Sequence, residues 1–372
     1  MLNVPSASLA GSLLDAAERF FLRDFPSCQA QFRQAVESCS GQKQHQFCAL
    51  DTADLSLGTD ILFLGKPTAS TVLVLISGTH GVEGYCGSAI QRFLLEQMAQ
   101  FTLPDDMAVL MVHALNPWGM HWARRCDQEG IDLNRNFVDF NRIEPLPPEY
   151  DGILAALMSS KDRYRDMQIL SEQYSQAEFD RIFSGGQYVY AWAPFYGGHG
   201  PAHGRRVIEE LITSYRLTER HTLVIDLHTG LGPWSFGELI SDHPVDSAGN
   251  RQARDWFGAA VANAHEGASF SVPKSGLMDY CFHQIMRDKG FFLTLEFGTY
   301  GTAALFEVLF SEHAFWKETT PSTLHESGYL VHRQRMIEHF CPDDALWQQA
   351  VLFKAWQVFS RIIRLAGETA KR

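Results

Sequence analysis

The chain has 372 residues, of which 45% are hydrophobic, so a substantial buried core is available and size alone excludes little. With 43 acidic against 31 basic residues and a formal net charge of -12, neither a nucleic-acid backbone nor an anionic membrane is expected as the main partner, because phosphate and anionic lipid are repelled by such a field. Seven scattered cysteines without a C-x-x-C pair do not make a disulfide framework, and a reducing cytoplasm is the expected compartment.

In chain order, residues 1–25 lack both a basic start and an apolar stretch unbroken before Glu18 and Arg19, so they read as neither a secretory signal nor an anchor. Residues 8–38 carry Leu13, Ala16, Phe20 and Phe21 at helical spacing, which predicts one or two leading helices. Short apolar runs at 61–63, 72–76 and 109–112 read as strands, with a helix at 88–100 between the last two. That strand–helix–strand unit predicts an α/β fold: a mixed, largely parallel twisted sheet flanked by helices on both faces. A proline-rich break at 144–148 opens an inserted segment, 141–222, whose residues 149–182 read as helical and strongly polar. The insertion ends in Ser184-Gly185-Gly186-Gln187 and Phe195-Tyr196-Gly197-Gly198, together a glycine- and aromatic-containing loop placed to roof a pocket. The sheet resumes at 223–226 and 291–297. A last amphipathic helix falls within 343–366, with Leu352, Trp356, Phe359 and Ile363 on one face. No apolar run is long enough to span a bilayer. A single domain is expected, its core at about 46–330, with the helices at either end as decorations.

Four short polar motifs punctuate these elements, and three of them stand at or beside the end of a strand, where α/β enzymes place their chemistry. His80-Gly81-Val82-Glu83 follows the 72–76 strand through a glycine-rich turn that lets a His and a Glu three residues apart converge on one ion. Asp226-Leu227-His228 ends another strand, and alternation puts Asp226 and His228 on one side. Catalytic zinc takes three ligands from His, Glu, Asp or Cys and keeps one position open, which makes His80, Glu83 and His228 the candidate ligands of one Zn2+ per chain. Glu296, in the apolar run 291–298, is a carboxylate whose burial is costly unless it is paired, metal-directed or raised in pKa; such placement suits a general base. Arg124, Arg125 and Arg135 lie close to Asp132 and Asn134, a grouping suited to an anionic group. No G-x-S-x-G elbow is present, which disfavours a serine hydrolase. Glu238 or Asp242 would offer carboxylates for a second ion, on proximity to His228 alone.

Together these residues resemble the zinc carboxypeptidases and their relatives, the aspartoacylases and succinylglutamate desuccinylases, over about 61 to 298. Asn116-Pro117-x-Gly119 and Ser275-Gly276-x-x-Asp279-Tyr280 resemble segments of that family too. The resemblance implies zinc on His80, Glu83 and His228, Glu296 as general base, and Asp132 orienting His80. It implies Asn134 and Arg135 as the grip on a substrate carboxylate and Arg125 as the group that polarises the scissile carbonyl, with Arg124 as the alternative. Asp226, beside His228, is expected in the same supporting role as Asp132. A tyrosine found in digestive relatives has no counterpart near 269–272, so either another tyrosine such as Tyr196, Tyr280 or Tyr300 serves or the reaction does without one. The implied substrate is a small peptide or an N-acyl amino acid with a free carboxylate. A non-catalytic scaffold that retains the zinc site is the remaining alternative.

Overall fold

The computed structural model describes residues 16–52, 56–98, 103–286, 288–319, 323 and 328–369; the part of the leading-helix expectation on residues 8–15 lies outside them. Eight strands form one sheet: β1 Lys43–Ala49, β2 Gly58–Leu64, β3 Thr71–Ser77, β4 Met107–His113, β5 His221–Thr229, β6 Gly237–Ser241, β7 Val261–Asn263 and β8 Gly290–Phe297. Their order is β1-β2-β4-β3-β5-β8-β6-β7. The central strands β4, β3, β5 and β8 are parallel, while β2 runs antiparallel to β4 and β6 antiparallel to β8. The sheet is therefore mixed and largely parallel, as expected.

Strand alternation divides the core in two. Leu73, Leu75, Val109, Ile225, Leu293 and Leu295 join one cluster with the helices Phe25–Ser38, Gly84–Met98 and Ala345–Thr369. Val72, Val74, Leu110, Val112, Val224 and Phe292 join the other with the helices His203–Ser214 and Met278–Met286. Both faces are covered, which is why these strands are near-continuous apolar runs and were readable as such. β1, by contrast, is an edge strand of sequence KQHQFCA that is mostly exposed, and it carries little of that signal.

The insertion holds four α-helices among the described residues, Tyr150–Ser159, Arg163–Gln173, Gln176–Ser184 and His203–Ser214. Although polar in composition, it contributes Ile153, Leu154, Leu157, Met167 and Phe183 to the first cluster, and Phe183 meets Phe310 edge-on at 5.8 Å. It is thus packed against the helix Thr302–Lys317 along a narrow apolar stripe. Among the described residues no helix is long and apolar enough to cross a membrane.

The topology decides where chemistry can be placed. From β3 the chain crosses to β4 on one side, and β5 lies on the other, so the crevice beyond their carboxyl ends is a switch point of the sheet. β8 joins it with His228 opposite Glu296 in register.

Candidate metal centre

β3 ends at Ser77, and the turn that follows brings His80 and Glu83 over the sheet edge before a helix starts at Gly84. Two hydrogen bonds fix this turn against the neighbouring loop: Gly81 N–H to the Arg125 carbonyl (3.1 Å) and Val82 N–H to the Arg124 carbonyl (2.8 Å). A Cβ on Gly81 would stand 2.1 Å from the carbonyl carbon of Gly119, so no side chain fits there. The facing loop is shaped by Asn116, whose Oδ1 accepts the Gly119 N–H at 2.9 Å while its Nδ2 donates to the Arg125 carbonyl at 3.2 Å.

The ligand atoms of His80, Glu83 and His228 lie within 4.8 Å of one another, and all three residues are buried. Nδ1 of His80 is 2.9 Å from Glu83 Oε1, Nδ1 of His228 is 3.0 Å from Glu83 Oε2, and the two Nδ1 atoms are 3.1 Å apart. The far nitrogens are both held by carboxylates. His80 Nε2 is 3.1 Å from Asp132 Oδ1, and His228 Nε2 is 2.6 Å from Asp226 Oδ2. Asp226 is itself steadied by the Thr79 hydroxyl at 2.8 Å. With each Nε2–H donated outward, both Nδ1 lone pairs converge on one point, which is how metal-binding histidines are oriented.

This donor set fits zinc. Two imidazoles and a carboxylate are ligands zinc accepts, with room for a fourth. Among the described residues, Glu83, Asp132 and Asp226 against the one guanidinium bonded to them, Arg125, leave two formal negative charges when the imidazoles are neutral, which a dication would balance. The ionisation of the cluster points the same way. Burial opposes charge on Glu83, but His80 and His228 outweigh it and hold the carboxyl below its ordinary value. Burial likewise opposes charge on Asp132, and Arg125, His80 and Arg135 bring it well below its ordinary range. His228 is raised well above its usual value, against burial, by Asp226 and Glu83. A bound cation takes the place of the proton such a cluster otherwise attracts.

The family described as "Protein of unknown function (DUF2817)" matches residues 21–354. The chain belongs to this family. No curated protein matches it. Solved structures similar to it over most of its length include bovine thrombin-activatable fibrinolysis inhibitor in complex with tick carboxypeptidase inhibitor (13% identity, 90% of this chain, 99% of that one, TM-score 0.49). A metallo-carboxypeptidase from Burkholderia cenocepacia is similar at 14% identity, 89% and 69% coverage and TM-score 0.42. So is the succinylglutamate desuccinylase from Chromobacterium violaceum, at 13% identity, 84% and 74% coverage and TM-score 0.38.

Around the ligands, this DUF2817 chain forms a cavity of about 100 Å³ whose wall includes all three ligands, Glu296, Arg125, Asn134 and Arg135. Glu296 is 8% exposed, and its Oε1 accepts the Leu231 N–H at 3.0 Å. Burial first, and then the neighbouring Glu83 carboxylate, push its carboxyl up to about 8. Arg125 donates from Nε to Asp132 (2.9 Å) and from Nη1 to Glu83 (3.1 Å), and burial notwithstanding these two acids hold it charged. Arg135 is only 1% exposed. Its Nε and Nη2 both donate to the Ser184 carbonyl, and Nη1 to the Asn134 carbonyl at 2.7 Å. These are neutral acceptors; burial draws the guanidinium down from its ordinary value while the charge of Asp132 opposes that. Asn134 Oδ1 accepts the Met278 N–H at 2.9 Å, which ties the Asn134–Arg135 turn to the segment around Asp279.

Several expectations are redirected. Arg124 pairs with Glu312 and lies over Trp316, 4.6 Å from the ring centre, and does not line the cavity. Tyr196 is no wall residue: its ring joins the second core cluster, and its carbonyl accepts the Asp132 N–H at 2.7 Å. Tyr280 gives its hydroxyl to the Lys274 carbonyl (2.9 Å) and Tyr300 to Glu338 (2.9 Å); neither reaches the cavity wall. Glu238 accepts from the Ser269 hydroxyl at 3.1 Å and also stays outside. The insertion does contribute to the wall, through Ser184 and Phe195. Phe195 packs against both guanidiniums, 5.4 Å from each carbon to the ring centre. Lys274, Phe270 and Asp279 complete a part of the wall that sequence reasoning did not assign to the site. Their loop has no regular spacing; only the Asp279 segment left a motif.

Proposed function

We propose that the chain is a zinc-dependent hydrolase that cleaves an amide bond close to a free carboxylate. The observation that carries this reading is the set of two Nδ1 atoms and one carboxylate converging in a cavity whose wall also carries the buried Glu296. His80, Glu83 and His228 would hold the zinc, which when bound supplies a Lewis acid for the scissile carbonyl and lowers the pKa of the attacking water.

The remaining roles fall to the chain. Glu296, buried on the same wall, is raised by burial and by the Glu83 carboxylate, and once a cation offsets Glu83 it would be suited to take the water's proton at its carboxylate and pass it to the leaving nitrogen. Its bond from the Leu231 N–H orients the carboxylate. Arg125 has Nε and Nη1 committed to Asp132 and Glu83, which fixes the guanidinium plane and leaves Nη2 for the charge that develops on the carbonyl oxygen. Arg135, hydrogen-bonded only to carbonyls, and the neighbouring Asn134 would anchor the substrate carboxylate, supplying positioning.

A cavity of about 100 Å³ walled by Phe195, Phe270, Leu305, Phe306 and Leu309 favours small substrates, so N-acyl amino acids stand beside short peptides as the second reading. Rates on dipeptides compared with N-acetyl and N-succinyl amino acids separate the two. Glu296→Gln should retain zinc and fold but lose roughly 10²–10⁴-fold in kcat, the usual worth of a general base. Full turnover in that variant, or activity unaffected by a chelator, would overturn the assignment.

A further inference from the structure

On the face of the sheet opposite the metal cavity lies a second concavity. β6 separates the two: Ile240 lines the metal cavity, while Leu239, which strand alternation turns to the other side, lines a groove of about 460 Å³. The groove runs between β6, the turn Gly258–Ala260 and the helix Ala345–Thr369. Leu239 and Val358, both buried, and Phe257 give it an apolar floor, and Lys354, Arg361 and Arg364 border it. An apolar hollow of this size with a few polar groups at its edge is the usual form of a small-molecule site.

The border carries one sign of charge. In a chain of 43 acidic and 31 basic residues, this wall has three cations and no acid. The three stand at i, i+7 and i+10 on one face of the helix, whose single acid is Glu368 in its last turn. A helix face that is merely solvated gains from alternating signs one turn apart, and like charges there are unfavourable.

The cations are also placed. The Lys354 stem crosses β6 at a glycine: a Cβ on Gly237 would stand 2.5 Å from Lys354 Cγ, so no side chain at 237 leaves it that course. Burial alone draws the Lys354 ammonium down from its ordinary value, with no acid acting on it among the described residues. Arg361 donates from Nε to the Trp256 carbonyl, and its guanidinium carbon lies 5.9 Å from the centre of the Phe257 ring. That bond orients the fork and does not use Nη1 or Nη2. Arg364 gives Nη1 to Glu368 at 3.2 Å, with the two side chains 48% and 57% exposed, a surface pair that a competing anion displaces at little cost.

We propose that this groove binds a small organic phosphate, its anionic oxygens held by Lys354, Arg361 and Arg364 and its apolar body resting on Leu239, Val358 and Phe257. A phosphate monoester is a dianion with three acceptor oxygens, which suits two planar forks and one ammonium; a lone carboxylate would answer fewer of them. The site is independent of the metal centre and of the hydrolase reading.

Calorimetric titration of the full chain, zinc-loaded and metal-free, with 1-naphthyl phosphate, 1-naphthol and inorganic phosphate tests the assignment. Naphthyl phosphate should bind at least about 10-fold tighter than naphthol, as expected for hydrogen bonds between charged groups, and tighter than inorganic phosphate, which has nothing to rest on the floor. Its affinity should be the same with and without zinc and should fall as salt is raised. Lys354→Met and Arg364→Gln should each weaken it about 10-fold, and the double variant should not distinguish naphthyl phosphate from naphthol. The melting temperature of Lys354→Met without ligand should hold or rise, because a partly buried charge without an acid is removed; a purely structural role for this lysine would lower it.

No measurable binding of naphthyl phosphate by the unsubstituted protein overturns the proposal. Binding that requires zinc, or that survives the double substitution, places the anion in the metal cavity and overturns it as well. Sedimentation of the unsubstituted protein as a dimer that the double variant dissociates would give the groove to the acidic surface of a second copy, against a small ligand.

Discussion

Replacing Asp132 with asparagine tests whether the metal centre is oriented from outside its ligands. Asp132 is fully buried; Oδ1 meets His80 Nε2 at 3.1 Å and the Asn134 N–H at 3.0 Å, while Oδ2 accepts from Arg125 Nε at 2.9 Å. An amide has one acceptor and one donor end and cannot serve both sides. With its oxygen toward His80, its NH2 group confronts the Arg125 N–H, donor against donor. With the amide reversed, His80 Nε2 must accept, and the proton moves to Nδ1, where zinc needs a lone pair. Losing one partner of a buried ion pair costs about 3–5 kcal/mol, reduced here because Glu83 still accepts from Arg125 Nη1 at 3.1 Å. Loss of a group that orients a ligand histidine weakens metal binding by roughly 10–100-fold, or about 1.4–2.7 kcal/mol. Competition of the metal-free protein with a chromophoric chelator measures that affinity, with circular dichroism as the control for fold. A folded Asp132→Asn with unchanged zinc affinity would show that His80 is held by the turn alone and that the argument from its far nitrogen is wrong.

Other consequences follow from burial and close approach. Gly81→Ala forces a Cβ to 2.1 Å from the Gly119 carbonyl carbon and 2.3 Å from the Met120 nitrogen. Both are backbone atoms, so the ligand turn must move, at about 1–3 kcal/mol of stability and with weaker zinc binding; an unaltered unfolding midpoint and zinc affinity would contradict this. His113 is fully buried, 2.9 Å from the Ser88 hydroxyl and stacked on Phe32 at 4.3 Å, and burial pushes it down to about 3. A folded-state value below the unfolded value of about 6.5 means stability that is present above pH 6.5 and lost as the pH falls toward the folded value. Relative to His113→Phe, the unsubstituted protein should therefore lose up to about 1.4 kcal/mol per pH unit across that window. Denaturant melts of both at pH 7, 6 and 5 measure the difference, and a constant gap would refute the assignment.

The central strands were legible because each is covered on both faces, and an apolar run such as 72–76 or 291–295 needs no tertiary knowledge to be read as a buried strand. β1, with Lys43, Gln44, His45 and Gln46 at the surface, and the three-residue β7 have no such run. The ligands were legible for a related reason: a His or Glu placed where an apolar strand gives out is costly unless it is used. Tyrosine hydroxyls carry no comparable signal. Whether Tyr196 points at the cavity or away depends on the course of its loop, and here Gln187 bridges to Tyr196 and the ring turns into the core. The choice between Arg124 and Arg125 was equally open in the sequence, and it is fixed by aromatic rings at Trp118 and Trp316, far apart in the chain.

One asymmetry unites the site. On the side facing the protein its polar atoms are answered: His80 by Asp132, His228 by Asp226, Asp226 by Thr79, Glu83 by the Thr229 N–H at 3.1 Å, and Glu296 by the Leu231 N–H. Toward the cavity they are not. Two Nδ1 atoms and a carboxylate face one another with negative charge in excess, and the Arg135 guanidinium has only neutral carbonyls as its hydrogen-bond acceptors. A chain under selection for stability alone would replace such groups with apolar residues of similar volume, a change that is often neutral or favourable. Their placement at the ends of β3 and β5 and in the turns beside them is what the proposed reading answers with groups from outside the chain: a dication between the histidines and a substrate carboxylate at Arg135.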